Sequence, residues 1–221
     1  MKIIVEIFTR CAKKHLSTLI DIFDLMRQAG YKFVKSLAPE INIPGPATND
    51  GVLMGTCDEE ESKKSYQIMY DMIFGGLMSF EEKGMGKMGM EKYFGKDFMW
   101  YGPCGIGSTR GVKGFEKYHQ GPFLKAVPDR RLIDDVDDRI YFGEGKYATL
   151  LEWTGFVATH TGNDWLGIPA TGKPIVMRNA DLYRREGDYL VENWVFLDII
   201  DILLQLGVDI FDRLRNKKYI L

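Results

Sequence analysis

The side chains best suited to acid/base chemistry are a histidine and two aspartates in the C-terminal half of the chain. His160 lies near the end of a long predicted strand, and histidine is the side chain that titrates near neutral pH without perturbation. Asp181 lies in mid-strand, where β propensity disfavours aspartate, so solvent exposure, an ion pair or a pocket must account for it. Asp198 ends the last predicted strand and also suits the N-cap of the following helix. Structural roles therefore stay open beside proton transfer.

A glycine-rich segment between residues 102 and 111 is the part of the sequence most like a phosphate-binding loop. After Gly105 and Gly107, the third glycine of a dinucleotide-binding motif is due at Arg110, so the pattern fails. No Gly-Lys-Ser/Thr sequence is present there, and Ser108 lacks the flanking residues of a nucleophile elbow. The segment therefore predicts a tight turn between a strand and a helix, and not a nucleotide site or a hydrolase.

Cysteine and histidine are scattered along the chain. Their positions are Cys11, Cys57, Cys104, His15, His119 and His160. An odd number of distant cysteines disfavours a disulfide framework and fits a reducing cytoplasm. No pair of histidines has the short spacing of a metal site, and no cysteine lies close enough to complete one. We therefore expect no metal site.

The overall composition excludes further classes of protein. With 29 basic and 31 acidic residues the chain has a net charge of −2, which removes the case for a nucleic-acid binder held by general phosphate attraction. No segment reaches the roughly 20 uninterrupted apolar residues that a membrane helix requires. Glu6 and Arg10 interrupt the apolar start before it becomes a signal-peptide core. We expect a globular, cytoplasmic protein with no nucleic-acid or membrane partner.

The N-terminal quarter is predicted to be a helical extension. Apolar residues from Ile3 to about Leu37 recur at spacings of three and four, which is typical of an amphipathic helix, and Gly30 ends or bends it. The following segment, 38–55, is rich in proline and glycine and suits neither a helix nor a strand interior. We therefore assign residues 1–57 to an N-terminal helical extension with its linker, and residues 58–221 to the main domain.

The main domain begins with helices and continues with strands. An acidic first turn at Asp58 suits the positive end of a helix dipole and predicts a helix start there. Beyond residue 130 the apolar period becomes two, which predicts strands at 132–141, 147–161, 174–184 and 189–197, followed by a last helix. This order predicts the α+β class: a cone-shaped, curved antiparallel sheet wrapped around helices and enclosing an apolar pocket, with an extra N-terminal helix.

Several ordered motifs in this domain resemble those of the SnoaL-like polyketide cyclase family, which belongs to the nuclear-transport-factor-two-like superfamily of cone-shaped α+β folds. The resemblance extends from about Glu60 to Gly207. It is carried by Trp100-Tyr101-Gly102-Pro103, Val127-Pro128-Asp129, Thr159-His160-Thr161-Gly162, Leu166-Gly167-Ile168-Pro169-Ala170-Thr171-Gly172-Lys173, Glu192-Asn193-Trp194 with Asp198, and Gln205-Leu206-Gly207. These motifs are more specific for the fold than for the chemistry.

The resemblance implies an intramolecular aldol cyclisation without cofactor or metal, for which a base removes a proton next to a carbonyl and donors stabilise the enolate. His160 falls on the strand histidine of the family, and Asp181 falls where these cyclases carry a second pocket histidine. The catalytic aspartate of the family matches Val195 here. An aliphatic side chain cannot move a proton, so Asp198, Asp181 or His160 must take over if the chain is catalytic.

Two hypotheses follow. The first is an enzyme, a cyclase, isomerase or related catalyst acting on an apolar carbonyl, ester or polyketide-like substrate, in which Asp181 or Asp198 pairs with His160 as acid and base. The second is a non-catalytic protein that binds a small hydrophobic ligand and has lost the base. The resemblance also implies a homodimer formed through the outer sheet face. Contacts to the substrate are expected from Trp100, Tyr101, His119, Trp153, Trp165, Asn193 and Trp194.

Overall fold

The computed structural model describes residues 3–10, 13–34, 36–38, 43–48, 55–79, 89–133 and 139–217. The strands are β1 (Ile3–Arg10), β2 (Lys13–Ile20), β3 (Phe94–Tyr101), β4 (Thr109–Arg110), β5 (Arg131–Leu132), β6 (Arg139–Glu144), β7 (Tyr147–Thr159), β8 (Pro174–Glu186) and β9 (Tyr189–Leu197). The α-helices are α1 (Ile22–Gln28), α2 (Glu59–Gly75), α3 (Gly111–Phe115), α4 (Gly121–Ala126), α5 (Ile199–Gln205) and α6 (Ile210–Arg215). A π-helical turn, Glu116–Gln120, joins α3 to α4.

The N-terminal extension differs from the prediction. Where one long helix was expected, β1 and β2 pair antiparallel over their whole length, from Ile3 opposite Ile20 to Arg10 opposite Lys13. The extra helix is α1 alone, seven residues long, and its N-cap Asp21 accepts a hydrogen bond from the Asp24 amide at 2.8 Å. The prediction of a single helix from residue 3 to residue 37 is therefore wrong. A short apolar run rich in isoleucine and valine fits strand and helix equally well by spacing.

The main domain confirms the α+β class. A seven-stranded sheet has the order β4-β3-β9-β8-β7-β5, and β6 also pairs with β7. The β3–β9 pair is parallel and the other pairs are antiparallel. The register shifts between Glu152 and Phe156 on β7, and again between Arg184 and Arg185 on β8. Such bulges bend and twist a strand, so they contribute to the curvature of this sheet.

The core lies between the concave face of this sheet and the helices. Alternate residues of β8 face it, with Met177 and Tyr183 buried in the main hydrophobic cluster beside residues of α2 and α3. The intervening positions face the convex side, where Leu151, Ala180 and Phe196 form a second cluster. The polar side chains on the concave face of β8 are therefore directed towards the interior.

The linker segment 43–48 lies against the opposite, convex face. Glu192 accepts hydrogen bonds there from the Ala47 amide at 2.9 Å and from the Tyr101 hydroxyl at 3.2 Å. Arg184 forms an ion pair with the same carboxylate, and both side chains are buried. This pair fixes the linker to the back of the sheet.

None of the helices in the described ranges is long and apolar enough to cross a bilayer.

The loop after β7 accounts for one of the sequence motifs. Gly162 donates its amide to the Ala126 carbonyl at 3.1 Å, and Asn163 donates to the Lys125 carbonyl at 3.0 Å. The backbone comes so close that a Cβ added at Gly162 would lie 1.7 Å from the Lys125 oxygen. Glycine is therefore required for this loop to dock on the end of α4.

We predict that Gly162→Ala lowers the free energy of unfolding by about 1–3 kcal/mol, the usual cost of overpacking a tight contact. The matched control is Gly55→Ala, because nothing lies within 4 Å of a Cβ at that position. That variant should change stability by less than about 0.5 kcal/mol. Urea denaturation measures both, and equal stabilities for the two variants would contradict the contact.

Candidate active site

A cavity of about 100 Å³ opens between the concave face of the sheet and the helices α2 to α4. Its walls are mainly aromatic and aliphatic, with a few polar side chains among them. The lining residues are Ile73, Leu77, Met78, Phe94, Trp100, Phe115, His119, Gln120, Phe123, Arg130, Leu132, Leu150, Glu152, Phe156, Met177, Asn179, Asp181, Tyr183, Asn193, Val195 and Leu197. An apolar pocket with a few converging polar groups is the usual form of a small-molecule site.

Asp181 is the centre of the polar group in this cavity. The residue is 9% exposed, and its carboxylate accepts hydrogen bonds from Asn179 at 3.1 Å, Asn193 at 3.2 Å and the Tyr183 hydroxyl at 3.3 Å. All three donors are neutral. The β-sheet positions them, because Asn179 and Tyr183 lie two residues on either side of Asp181, on the same face of β8, and Asn193 lies on the adjacent strand.

Burial raises the pKa of Asp181 from its ordinary value of 3.8 to about 6. Loss of hydration is the main cause, and the negative charge of Glu152 raises the pKa further, while the donors on Asn179 and Asn193 lower it. A carboxyl group with this pKa holds its proton only weakly near neutral pH. It can therefore both remove and return a proton under physiological conditions.

Glu152 is a second buried carboxylate in the wall of the cavity. It lies 6% exposed on β7, directly opposite Asn179 of β8. Tyr141 donates its hydroxyl hydrogen to Glu152, and the Arg139 guanidinium lies 3.8 Å from the same carboxylate oxygen. Glu152 therefore has its own donor and a nearby cation, whereas the donors to Asp181 are neutral. This difference makes Asp181 the better candidate for proton transfer.

His119 lines the cavity from the π-helical turn. Its ring stacks on Trp100 with centroids 4.2 Å apart and lies 5.3 Å from the ring of Phe115. Burial lowers the pKa of His119 to about 3, and the charge of Arg130 adds to this effect. The imidazole is therefore neutral at physiological pH and cannot act there as a cationic acid. Its role is that of a polar wall residue.

Four of the residues predicted from sequence meet in this cavity. Asp181, Asn193, Trp100 and His119 all line it. Val195 lines it too, and the register of β8 and β9 places Val195 directly opposite Asp181. Directly opposed residues of an antiparallel pair have Cβ atoms about 4.5–5.5 Å apart. The carboxyl group of Asp181 therefore originates one strand away from the aliphatic side chain.

His160 lies elsewhere, which corrects the predicted pairing with Asp181 or Asp198. β7 ends at Thr159, and His160 is the first residue of the loop that follows. The ring is buried and holds this loop together, with Nε2 3.1 Å from the Asn163 carbonyl and Nδ1 3.4 Å from the Thr171 hydroxyl. These contacts support a structural role for His160, one of the two roles that the sequence left open.

Asp198 is also outside the cavity. It is the N-cap of α5, and its side chain accepts a hydrogen bond from the Asp201 amide at 3.1 Å. It borders a separate surface groove together with Trp153, which is 45% exposed and has the Arg178 guanidinium 5.7 Å from its ring centroid. Neither Asp198 nor Trp153 lines the cavity.

The remaining predicted contact residues are corrected as well. Tyr101 and Trp194 stack on each other with centroids 5.5 Å apart, and the Tyr101 hydroxyl bonds to Glu192 on the convex side. Trp165 is buried and does not line the cavity, and its ring packs edge-on against the lining residue Phe123 with centroids 5.7 Å apart. Aromatic residues were predicted by type, and the facing direction of the strands separates Trp100 from Tyr101 and Trp194, whereas Trp165 lies in the loop after β7.

Sequence reasoning missed five polar residues of the cavity: Gln120, Arg130, Glu152, Asn179 and Tyr183. Two of them, Glu152 and Asn179, could have been found by the argument used for Asp181, because both lie in mid-strand, where β propensity disfavours them, and they pair with each other in register. Tyr183 is a common strand residue and gave no such signal. Gln120 and Arg130 gave no such signal, since one lies in a distorted helical turn and the other in a connection.

Comparison with known proteins identifies the family. The sequence model of the SnoaL-like polyketide cyclase family matches residues 87–206, which is more than half of the chain. The chain belongs to this family. No curated protein matches the sequence. Among the described residues, no group of three His, Cys, Asp or Glu side chains is placed to hold a metal ion.

The chain is similar to several solved structures, and the first described here shows the same fold. A SnoaL-like polyketide cyclase candidate from Jannaschia sp. CCS1 has a TM-score of 0.56 and 11% identity, covering 70% of this chain and 99% of that one. IdmH from Streptomyces antibioticus, a polyketide cyclase candidate, has 21% identity and a TM-score of 0.47 over 63% of this chain and 98% of its own. AclR from Streptomyces galilaeus, a hydroxylase candidate, has 18% identity and a TM-score of 0.47 over 66% and 97%.

The raised pKa of Asp181 predicts a pH dependence of stability for this SnoaL-like protein. Below about pH 4 the Asp181 carboxyl is protonated in both the folded and the unfolded protein, and its ionisation does not oppose folding. As the pH rises from about 4 through about 6, the unfolded protein ionises this carboxyl more easily than the folded one, so the free energy of unfolding falls. Asp181→Asn lacks this titration. Its stability relative to wild type should therefore increase by about 2–3 kcal/mol between pH 4 and pH 7.5.

The measurement is urea denaturation of both proteins at several pH values, taken as a difference so that all other titrating groups cancel. Parallel stability curves for the two proteins across this range would show that the pKa of Asp181 is not raised.

Proposed function

We propose that this protein is a cofactor-independent enzyme that performs acid/base chemistry on a small, apolar carbonyl compound. The observation that carries the proposal is the Asp181 carboxyl, buried in an apolar cavity among neutral donors with a pKa of about 6. A general base of this kind removes a proton from the carbon next to a carbonyl group. The family assignment and the size of the cavity support a small-molecule substrate.

The proton transfers can be written for the side chains of this chain. The Asp181 carboxylate takes the α-proton, and the electron pair of the C–H bond moves into the carbonyl to give an enolate. In a ring closure the enolate carbon attacks a second carbonyl of the same molecule, and the resulting alkoxide takes the proton back from Asp181. In an isomerisation the proton returns to another carbon of the substrate instead.

Arg130 is the candidate for stabilising the enolate. Among the described lining residues it is the one cation, and it is held in place by donating to the Leu77 carbonyl at 2.6 Å. Burial lowers the pKa of Arg130 to about 10, so its guanidinium stays charged at neutral pH. A positive charge in an apolar pocket stabilises a developing oxyanion more than it would in water.

The register of the sheet supports Asp181 as a substitute for the missing family base. The resemblance places that base at Val195, and Asp181 is its direct cross-strand neighbour. A carboxyl group that originates there reaches the same cavity from the adjacent strand. In this proposal the base has moved from β9 to the neighbouring strand β8, so acid/base chemistry is retained although valine occupies the usual position.

The second candidate is a non-catalytic protein that binds a small hydrophobic ligand. Val195 favours it, because the position of the family base carries no ionisable group. The two candidates differ in one property: the enzyme exchanges substrate protons with solvent, and the binding protein does not.

We predict that the protein catalyses exchange of the α-protons of phenylacetone for deuterium in D₂O, followed by proton NMR. Asp181→Asn should reduce the rate by about 10²–10⁴-fold, the usual contribution of a general base. The rate should rise with pH and level off above about 6, because only the ionised carboxylate accepts the proton.

The matched control is Asp198→Asn, the same chemical change at a helix N-cap, where asparagine serves as well as aspartate. It should leave the exchange rate unchanged. A double variant, Asp181→Asn with Val195→Asp, returns a carboxyl to the family position and should recover part of the lost rate. Equal rates in wild type and Asp181→Asn would refute the role of Asp181, and absence of exchange in wild type would favour the binding protein.

A further inference from the structure

Two polar side chains of the cavity wall are not used by the proposed proton transfer. Gln120 is 4% exposed and His119 is 9% exposed. The Gln120 Oε1 and the His119 Nδ1 are both buried and have no hydrogen-bond partner among the described residues. Buried polar atoms are usually paired, so each such atom in a native structure requires an explanation.

The local backbone explains why both residues reach the cavity. Gln120 and His119 are consecutive and lie in the π-helical turn between α3 and α4. In a regular α-helix neighbouring residues point about 100° apart, whereas a wider π turn broadens the face that the helix presents. Single π turns occur often at functional sites. Here the turn places an amide and an imidazole side by side on the wall.

Both groups are uncharged, which restricts the ligand that they fit. The pKa of His119 lies at about 3, so the ring is neutral, and a carboxamide does not ionise. Rotation about the last torsion of Gln120 is soft and presents either its oxygen or its nitrogen to the cavity. A hydroxyl group both donates and accepts, so it pairs with this surface in either arrangement.

The volume of the cavity restricts the ligand further. At about 100 Å³ it is comparable with an engineered apolar cavity of about 150 Å³ that takes up benzene. The walls around it include Phe94, Phe115 and Phe123, which suit a flat ring. One ring with short substituents matches this space.

We propose that the cavity selects a neutral, single-ring substrate with a hydroxyl group, and that Gln120 with His119 binds that hydroxyl. This proposal names the substrate class of the proposed enzyme. It rests on the proposed function for the reaction, but not for the binding of the hydroxyl group. Binding of the hydroxyl can be tested without turnover. A site with buried polar atoms discriminates against an analogue that leaves them unpaired.

The experiment compares the dissociation constants of phenol and toluene, which have the same ring and nearly the same size, by calorimetry and by quenching of tryptophan fluorescence. Wild type should bind phenol about 10-fold more tightly than toluene, the factor expected for one additional hydrogen bond in a dry site. Gln120→Leu keeps the approximate volume and removes the amide. It should lose this preference and bind toluene at least as well as wild type does.

Gln67→Leu provides the matched control, because Gln67 is an exposed residue of α2 that bonds to Asp71. It should retain the preference for phenol. Gln120→Leu should also fold, since it removes a buried unpaired group, and a thermal melt confirms this. Equal affinities for phenol and toluene in wild type, no binding of either, or an unchanged preference in Gln120→Leu would each overturn the proposal.

The outcome is separable from that of the proposed function. Equal affinities of wild type for phenol and toluene, together with proton exchange that depends on Asp181, would refute the hydroxyl site alone. A preserved hydroxyl preference together with no exchange would support the hydroxyl site in a binding protein. The two experiments therefore fail independently.

Discussion

The structure depends on keeping one carboxyl group out of water without giving it a cationic donor. Asp181 lies in an apolar cavity and accepts hydrogen bonds from two amides and a phenol, which satisfy its oxygens but only partly replace hydration. An arginine in the place of these donors would stabilise the anion and lower its basicity. Neutral donors leave the pKa near 6, the value that suits proton transfer at physiological pH. The same arrangement reduces stability, a common feature of functional sites.

The sheet supplies this arrangement through its register. Alternation along β8 brings Asn179, Asp181 and Tyr183 to the concave face, and pairing with β9 adds Asn193. The bulge on β7 also matters, because a Cβ at Gly155 would lie 2.3 Å from the amide oxygen of Asn179. On the opposite face the buried pair of Arg184 with Glu192 joins the linker to the same strands. The polar residues of one sheet thus line the candidate site on one face and hold the linker on the other.

The sequence predicted the sheet better than it predicted the site. The period of two located β9 with its observed bounds, and the cost of aspartate in a strand drew attention to Asp181, which lines the cavity. His160 was misplaced because β7 ends one residue before it, and a strand end is not visible in an alternating pattern. The N-terminal strands were missed because short apolar runs suit both periods. The direction of each aromatic residue likewise depends on register, which no local pattern contains.

The account is tested most directly by the pKa of Asp181 itself. Carbon-13 labelling of the aspartate side chains, with the Asp181 resonance assigned by its absence in Asp181→Asn, allows that carboxyl to be titrated by NMR. We expect a midpoint near pH 6, about two units above an exposed aspartate. A midpoint at or below pH 4 would show that the carboxylate is well solvated or paired with a cation, and the central claim would then be wrong.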